Sequence, residues 1–136
     1  MSHKENTYTA TIGPCRFSIK RKEGVITKLI FDEMYDSNIY EIIIDEAQNC
    51  CEDFNIKFNG INSFTDDREI QSTGALNVEY TESYDHNGDC LSTVTIRFCA
   101  SGCHFNIKVS NCHNGYYPHF VEINTLTRQT VFEKYV

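Results

Sequence analysis

Apolar and polar residues alternate with a period of two along much of this chain, the pattern of strands that bury one face. Cys15, Phe17 and Ile19 alternate with polar neighbours through Lys22. A second run, Val25 to Phe31, follows a Lys22-Glu23-Gly24 turn, so the two read as a hairpin. Ile39 to Ile44 is a β-branched run and reads as the most buried strand. Phe54, Ile56 and Phe58 alternate up to Asn59-Gly60, and Leu76 to Tyr80 makes a further strand. From Leu91 to Phe98, Val94, Ile96 and Phe98 face one way while Thr93, Thr95 and Arg97 face the other. Ala100-Ser101-Gly102 turns the chain. His104 to Ser110 then returns with Phe105, Ile107 and Val109 inward and Asn106, Lys108 and Ser110 opposite. Asn114-Gly115 is the best turn signal, because both residue types tolerate the positive φ of a tight hairpin. It is expected to join that strand to one running from Tyr116 to Asn124. Thr130 to Val136 reads as a last strand or a docked tail.

Helical signals are scarce. The polar stretch Ile61 to Ser72 could hold one short helix around Ser63 to Glu69, with Ser63 or Thr65 as its cap. The expected fold is therefore mainly β: a single antiparallel β-sheet domain with one or two short helices. Residues 1–14 read as a flexible lead ending at Gly13-Pro14, and residues 15–136 as the domain.

Composition narrows the class. A chain of 136 residues with 40% hydrophobic and 12% aromatic residues has enough apolar surface for one real core. No apolar run approaches the roughly 20 residues of a membrane span, and Met1 to Asn6 lacks the apolar core of a secretion signal. The expected location is the cytosol. There the seven cysteines are expected to be mostly free thiols packed as small hydrophobes. A net charge of −7 argues against DNA, RNA or an anionic membrane as partner. It leaves room for a small anion held by a few local cations and backbone N–H groups.

Three constellations could carry chemistry. Cys99, Cys103, His104, Cys112 and His113 lie within fifteen positions, and zinc takes such ligands. The spacing is not that of two C-x₂-C knuckles, and neighbours on a strand point apart, so buried thiols are the stronger reading. Cys50 or Cys51 with His86, His113 or His119 could make a thiol–imidazole pair, but no local signature supports it. No cofactor and no catalytic residue are expected. Arg97 and Lys108, on neighbouring strands, would share a polar face if the hairpin register permits. Asn114, Tyr116, Tyr117 and His119 follow close by. Cation, amide, aromatic plane and imidazole together suit a nucleotide, with phosphate on the cations and base on a ring. A surface with a structural turn is the competing reading.

Two motifs resemble those of a known family. Gln48-Asn49-Cys50-Cys51-Glu52 resembles a Q-D-C-C-E segment, and Ile107 to Pro118 resembles a strand ending in I-R-W-x-G-x-S-N-G-Y-Y-S some sixty residues later. Val121 falls where that family has a valine. The family is the Thoeris anti-defence nucleotide sponges of phages, and the resemblance spans roughly Ile39 to Ile123. It implies a β-rich homodimer or higher homo-oligomer, viral and not an enzyme. Such a protein sequesters a cyclic nucleotide immune signal, a cyclic ADP-ribose isomer or a cyclic oligonucleotide, in the host cytosol. Its motif covers Lys108, Asn114, Tyr116 and Tyr117, and together with Arg97 and His119 from the residue pattern above these make the candidate ligand-binding set. Lys108 stands where the family has arginine, a point charge in place of a bidentate fork. Ser92 to Ile96 stands where it has an aromatic run, and Cys112-His113 and Pro118-His119 replace small or acidic residues. The alternative is a structural or protein-interaction domain of the same fold with no nucleotide ligand.

Overall fold

The computed structural model describes residues 7–22, 26–34, 39–45, 53–61, 67–84, 86–113, 119–125 and 129–136. They form eleven strands: β1 (Thr7–Ile12), β2 (Cys15–Lys22), β3 (Ile26–Glu33), β4 (Ile39–Asp45), β5 (Asp53–Asn59), β6 (Asp67–Ile70), β7 (Gly74–Tyr84), β8 (Cys90–Ala100), β9 (Cys103–His113), β10 (Phe120–Asn124) and β11 (Thr130–Tyr135). The first sheet has the order β1-β7-β8-β9-β5 and the second β11-β10-β4-β3-β2-β6. Every pairing is antiparallel.

No helix occurs among the described residues, which corrects the expectation of one or two short ones. Residues 63–66 of the expected helix lie outside the described residues. Asp67 to Glu69 are instead in β6, paired with Ser18 to Arg16 of β2. Tertiary pairing overrides the weak local signal, because it puts Ile70 beside Cys15 in the core. The lead-in also differs from expectation. Thr7 to Ile12 pair with Glu79 to Gly74, and Ile12 is fully buried. The largest difference concerns the hairpin expected across Asn114-Gly115. Those two residues lie outside the described ones, but the strands on either side are not partners. β9 pairs with β8 and β5, whereas β10 pairs with β4 and β11. Their apolar stripes, Phe105-Ile107-Val109 and Val121-Ile123, are all buried, each on its own sheet.

The two sheets pack face to face over a phenylalanine cluster. Phe17 and Phe31 of the second sheet meet Phe105 and Phe98 of the first, with ring centroids 5.1 Å apart for Phe17–Phe105 and 5.3 Å for Phe31–Phe98. Strand β9 crosses nearly the whole second sheet. Cys103 Sγ lies 4.0 Å from Arg68 Nη1 on β6 at one edge, and Asn111 Nδ2 donates to the carbonyl of Val136, just past β11 at the other. The strands of the two sheets therefore cross steeply, as in orthogonal sandwiches whose corners are made by strands that change sheet. Gly13-Pro14 is such a corner between β1 and β2. Gly13 N–H donates to Glu33 Oε1 at 2.7 Å, and Met34 N–H to the Pro14 carbonyl at 2.8 Å. No helix among the described residues is long and apolar enough to cross a membrane.

Candidate functional site

The outer face of the first sheet is polar and is built by register. Inward residues of β8 and β9 (Val94, Ile96 and Phe98; Phe105, Ile107 and Val109) are buried, which forces their neighbours outward. Arg97 stands opposite Asn106, and Lys108 opposite Thr95. Arg97 and Lys108 are thus diagonal neighbours on one exposed face, about 7–8 Å apart. The expected juxtaposition of these two cations is present. The β8–β9 hairpin that sets it closes over the two residues Ser101 and Gly102, with Gly102 at φ +78°.

Strand β5 adds a third cation. Lys57 lies directly opposite Lys108 on the same outer face. Among the described residues none of Arg97, Lys108 and Lys57 has an ion-pair partner. Sequence reasoning missed Lys57. Its signal was there, on the polar side of the Phe54-Ile56-Phe58 alternation. But β5 reaches β9 across the intervening β6, β7 and β8, and no local pattern gives that neighbour.

Beside Arg97 the face holds a depression of about 300 Å³ lined by Asn59, Gly60, Arg97, Cys99, His104 and Asn106. Asn59 Nδ2 donates to Asn106 Oδ1 at 3.0 Å, which fixes both amides at its rim. Gly60 makes the close approach possible. Its φ is +86°, and a Cβ there would lie 2.3 Å from the His104 carbonyl oxygen. Two larger hollows lie against the second sheet. One, of about 520 Å³, sets Arg16, Lys20 and Arg68 among Asp32, Asp67 and Glu69. The other, of about 610 Å³, has Lys28 held by Glu41 at 3.4 Å beside Glu122. Carboxylates line both and none lines the depression beside Arg97, so a small anion is best met there.

Of the remaining candidates only His119 is described, and it does not join this face. Asn114, Tyr116 and Tyr117 lie outside the described residues. His119 is fully buried between the sheets. Its ring stacks on Phe54 with centroids 4.1 Å apart. Its Nδ1 is 3.0 Å from the Asp45 carbonyl, which can only accept, so Nδ1 donates. The backbone of His119 also pairs with Val136 in both directions, at 2.7 and 3.0 Å. Its place is structural, on the other side of the sheet from Lys108.

The described cysteines of the candidate zinc set are spread out. Cys99 and His104 are directly opposite on the outer face, Cys103 points inward, and Cys112 is nine residues along β9, about 30 Å from Cys103. No cluster among the described residues could hold a metal ion. Burial, with the Glu33 carboxylate next in effect, pushes the Cys15 thiol up to about 11, so it packs as a protonated hydrophobe. Cys50 and Cys51 lie outside the described residues.

Comparison with protein-family profiles, with curated proteins and with solved structures finds no match.

Proposed function

We propose that the outer face of the first sheet binds a phosphate-bearing small molecule, a cyclic nucleotide, and holds it without turnover. The observation that carries this reading is the convergence of Arg97, Lys108 and Lys57 on one face of a chain whose net charge is −7. Cations with no carboxylate partner among the described residues suit the dispersed charge of a phosphodiester, and the amides of Asn59 and Asn106 supply hydrogen bonds at the rim. Arg97 and Lys108 hold phosphate in this reading. Tyr116 or Tyr117 stacks the base, and Asn114 orients it. His119, being buried, has no part in it.

The identity of the ligand as an immune signal, and a role in blunting host defence from within the cytosol, rest on the motif resemblance between Gln48 and Pro118. Sequestration needs slow release rather than a nucleophile, and the site is read accordingly as a clamp. The test is calorimetric titration with a panel of cyclic nucleotides and ADP-ribose isomers. Each mixture is then heat-denatured and the released nucleotide identified by chromatography. Binding with intact ligand recovered is the expected result. Recovery of altered ligand would replace the clamp by an enzyme. No binding to any panel member would leave an interaction domain of the same fold.

A further inference from the structure

Edge strand β5 carries a charge pattern complementary to itself. Asp53, Asn55 and Lys57 are exposed on the outer face, while Phe54, Ile56 and Phe58 are half-buried on the inner one. One side of β5 is hydrogen-bonded to β9, and among the described residues no strand lies on the other. Such an edge offers a row of backbone donors and acceptors to another strand. Within the protomer Lys57 stands directly opposite Lys108, a like-charge cross-strand pair that disfavours the sheet.

We propose that β5 pairs antiparallel with β5 of a second copy of the chain, about a two-fold axis through Asn55. In that register Asp53 of each protomer faces the partner's Lys57, and Phe54 faces the partner's Ile56. All four charges lie on the outer face, so both ion pairs form on one surface, and the apolar stripes meet on the other. An isologous contact requires this kind of self-complementarity. The other edges lack it. β1 has no charged residue. β6 has four residues, and its outer pair, Asp67 and Glu69, is wholly acidic. The Glu133 and Lys134 of β11 are adjacent and so point to opposite faces.

Two five-stranded sheets would then continue as one sheet of ten strands. The partner's Asp53 offsets the Lys57–Lys108 repulsion, and the two cationic faces come to lie side by side across the seam. This inference does not rest on the nucleotide reading, and its test contains no ligand.

Sedimentation velocity of the full chain over a range of concentrations reads the association directly. The wild type is expected to dimerise. Asp53→Lys and Lys57→Asp each turn both ion pairs into repulsions and should each weaken the dimer about tenfold or more. An equimolar mixture of the two variants should recover the dimer, because one then carries both cations and the other both carboxylates. Asp53→Asn, which adds no charge, should weaken it less and in the same direction. Circular dichroism and melting curves establish that each variant is folded. A wild type that stays monomeric overturns the proposal. So does a dimer that neither charge reversal weakens, or a mixture that fails to reassociate.

Discussion

At the residue scale, charge and burial assign different work to the candidate residues. Lys108 is exposed on the outer face, away from the core. Lys108→Ala should therefore not lower the melting temperature, and losing the Lys57–Lys108 repulsion should raise it by about 1–3 °C. It should weaken nucleotide binding about ten- to hundredfold, the ~1.5–3 kcal/mol of a hydrogen bond to a charged group. Calorimetry beside a thermal melt checks both halves; equal affinities would remove Lys108 from the site. His119 should behave in the opposite way. Its ring is fully buried against Phe54 and hydrogen-bonded to the Asp45 carbonyl. His119→Ala loses the stack and leaves that carbonyl without the ring N–H, so urea unfolding should show a loss of ~2–4 kcal/mol. Affinity measured where the variant is still folded should not change. The sequence placed both residues in one ligand set because both stand near Asn114-Gly115. Chain proximity cannot separate an outward lysine on one sheet from an inward histidine at the start of a strand on the other.

At the element scale, what was legible is what period two encodes. The inward faces of β8 and β9, the β2–β3 hairpin and the diagonal of Arg97 and Lys108 all follow from alternation and a short turn. Strand neighbours that are distant in sequence do not. β5 beside β9, β6 beside β2, and the parting of β9 from β10 all depend on how two apolar surfaces meet. The same non-local pairing places Glu122 of β10 directly opposite Glu133 of β11. Burial raises the Glu122 pKa, and the Glu133 hydrogen bond and charge raise it further. A carboxyl whose folded pKa lies above its unfolded value opposes folding at neutral pH, where its charged form is the disfavoured one. That penalty fades as pH falls through the raised range and is gone below the ordinary carboxylate value, about 4. Glu122→Gln should thus stabilise the protein at pH 7 by ~0.2–1 kcal/mol, the scale of a like-charge cross-strand pair. The gain should vanish near pH 3. Urea titrations of both proteins at the two pH values check the sign; an equal gain at both would point to packing instead of charge.

At the scale of the whole molecule, the steep crossing of the sheets makes one core out of two. Phe17, Phe31, Phe98 and Phe105 touch one another across the interface, with Phe31 contacting the other three. A strand such as β9, which reaches from one edge of the second sheet to the other, cannot keep its inner face dry once that sheet departs. Each sheet alone would expose a continuous apolar surface, so neither has a separate folded state to occupy. Unfolding should be a single cooperative transition, with intrinsic fluorescence and far-ultraviolet dichroism giving coincident curves. Phe31→Ala should lower stability by ~3–5 kcal/mol, the usual cost of emptying a buried aromatic site. It should do so without splitting the transition. Hydrogen exchange makes the stricter test. Amides of β8 in the first sheet and of β3 in the second should lose protection by the same free energy in that variant, although only β3 carries the substitution. Loss confined to β3 would mean that the sheets open independently. The face bearing Arg97 and Lys108 would then keep its geometry when the second sheet is damaged; under a shared core it should lose that geometry at the same denaturant concentration as everything else.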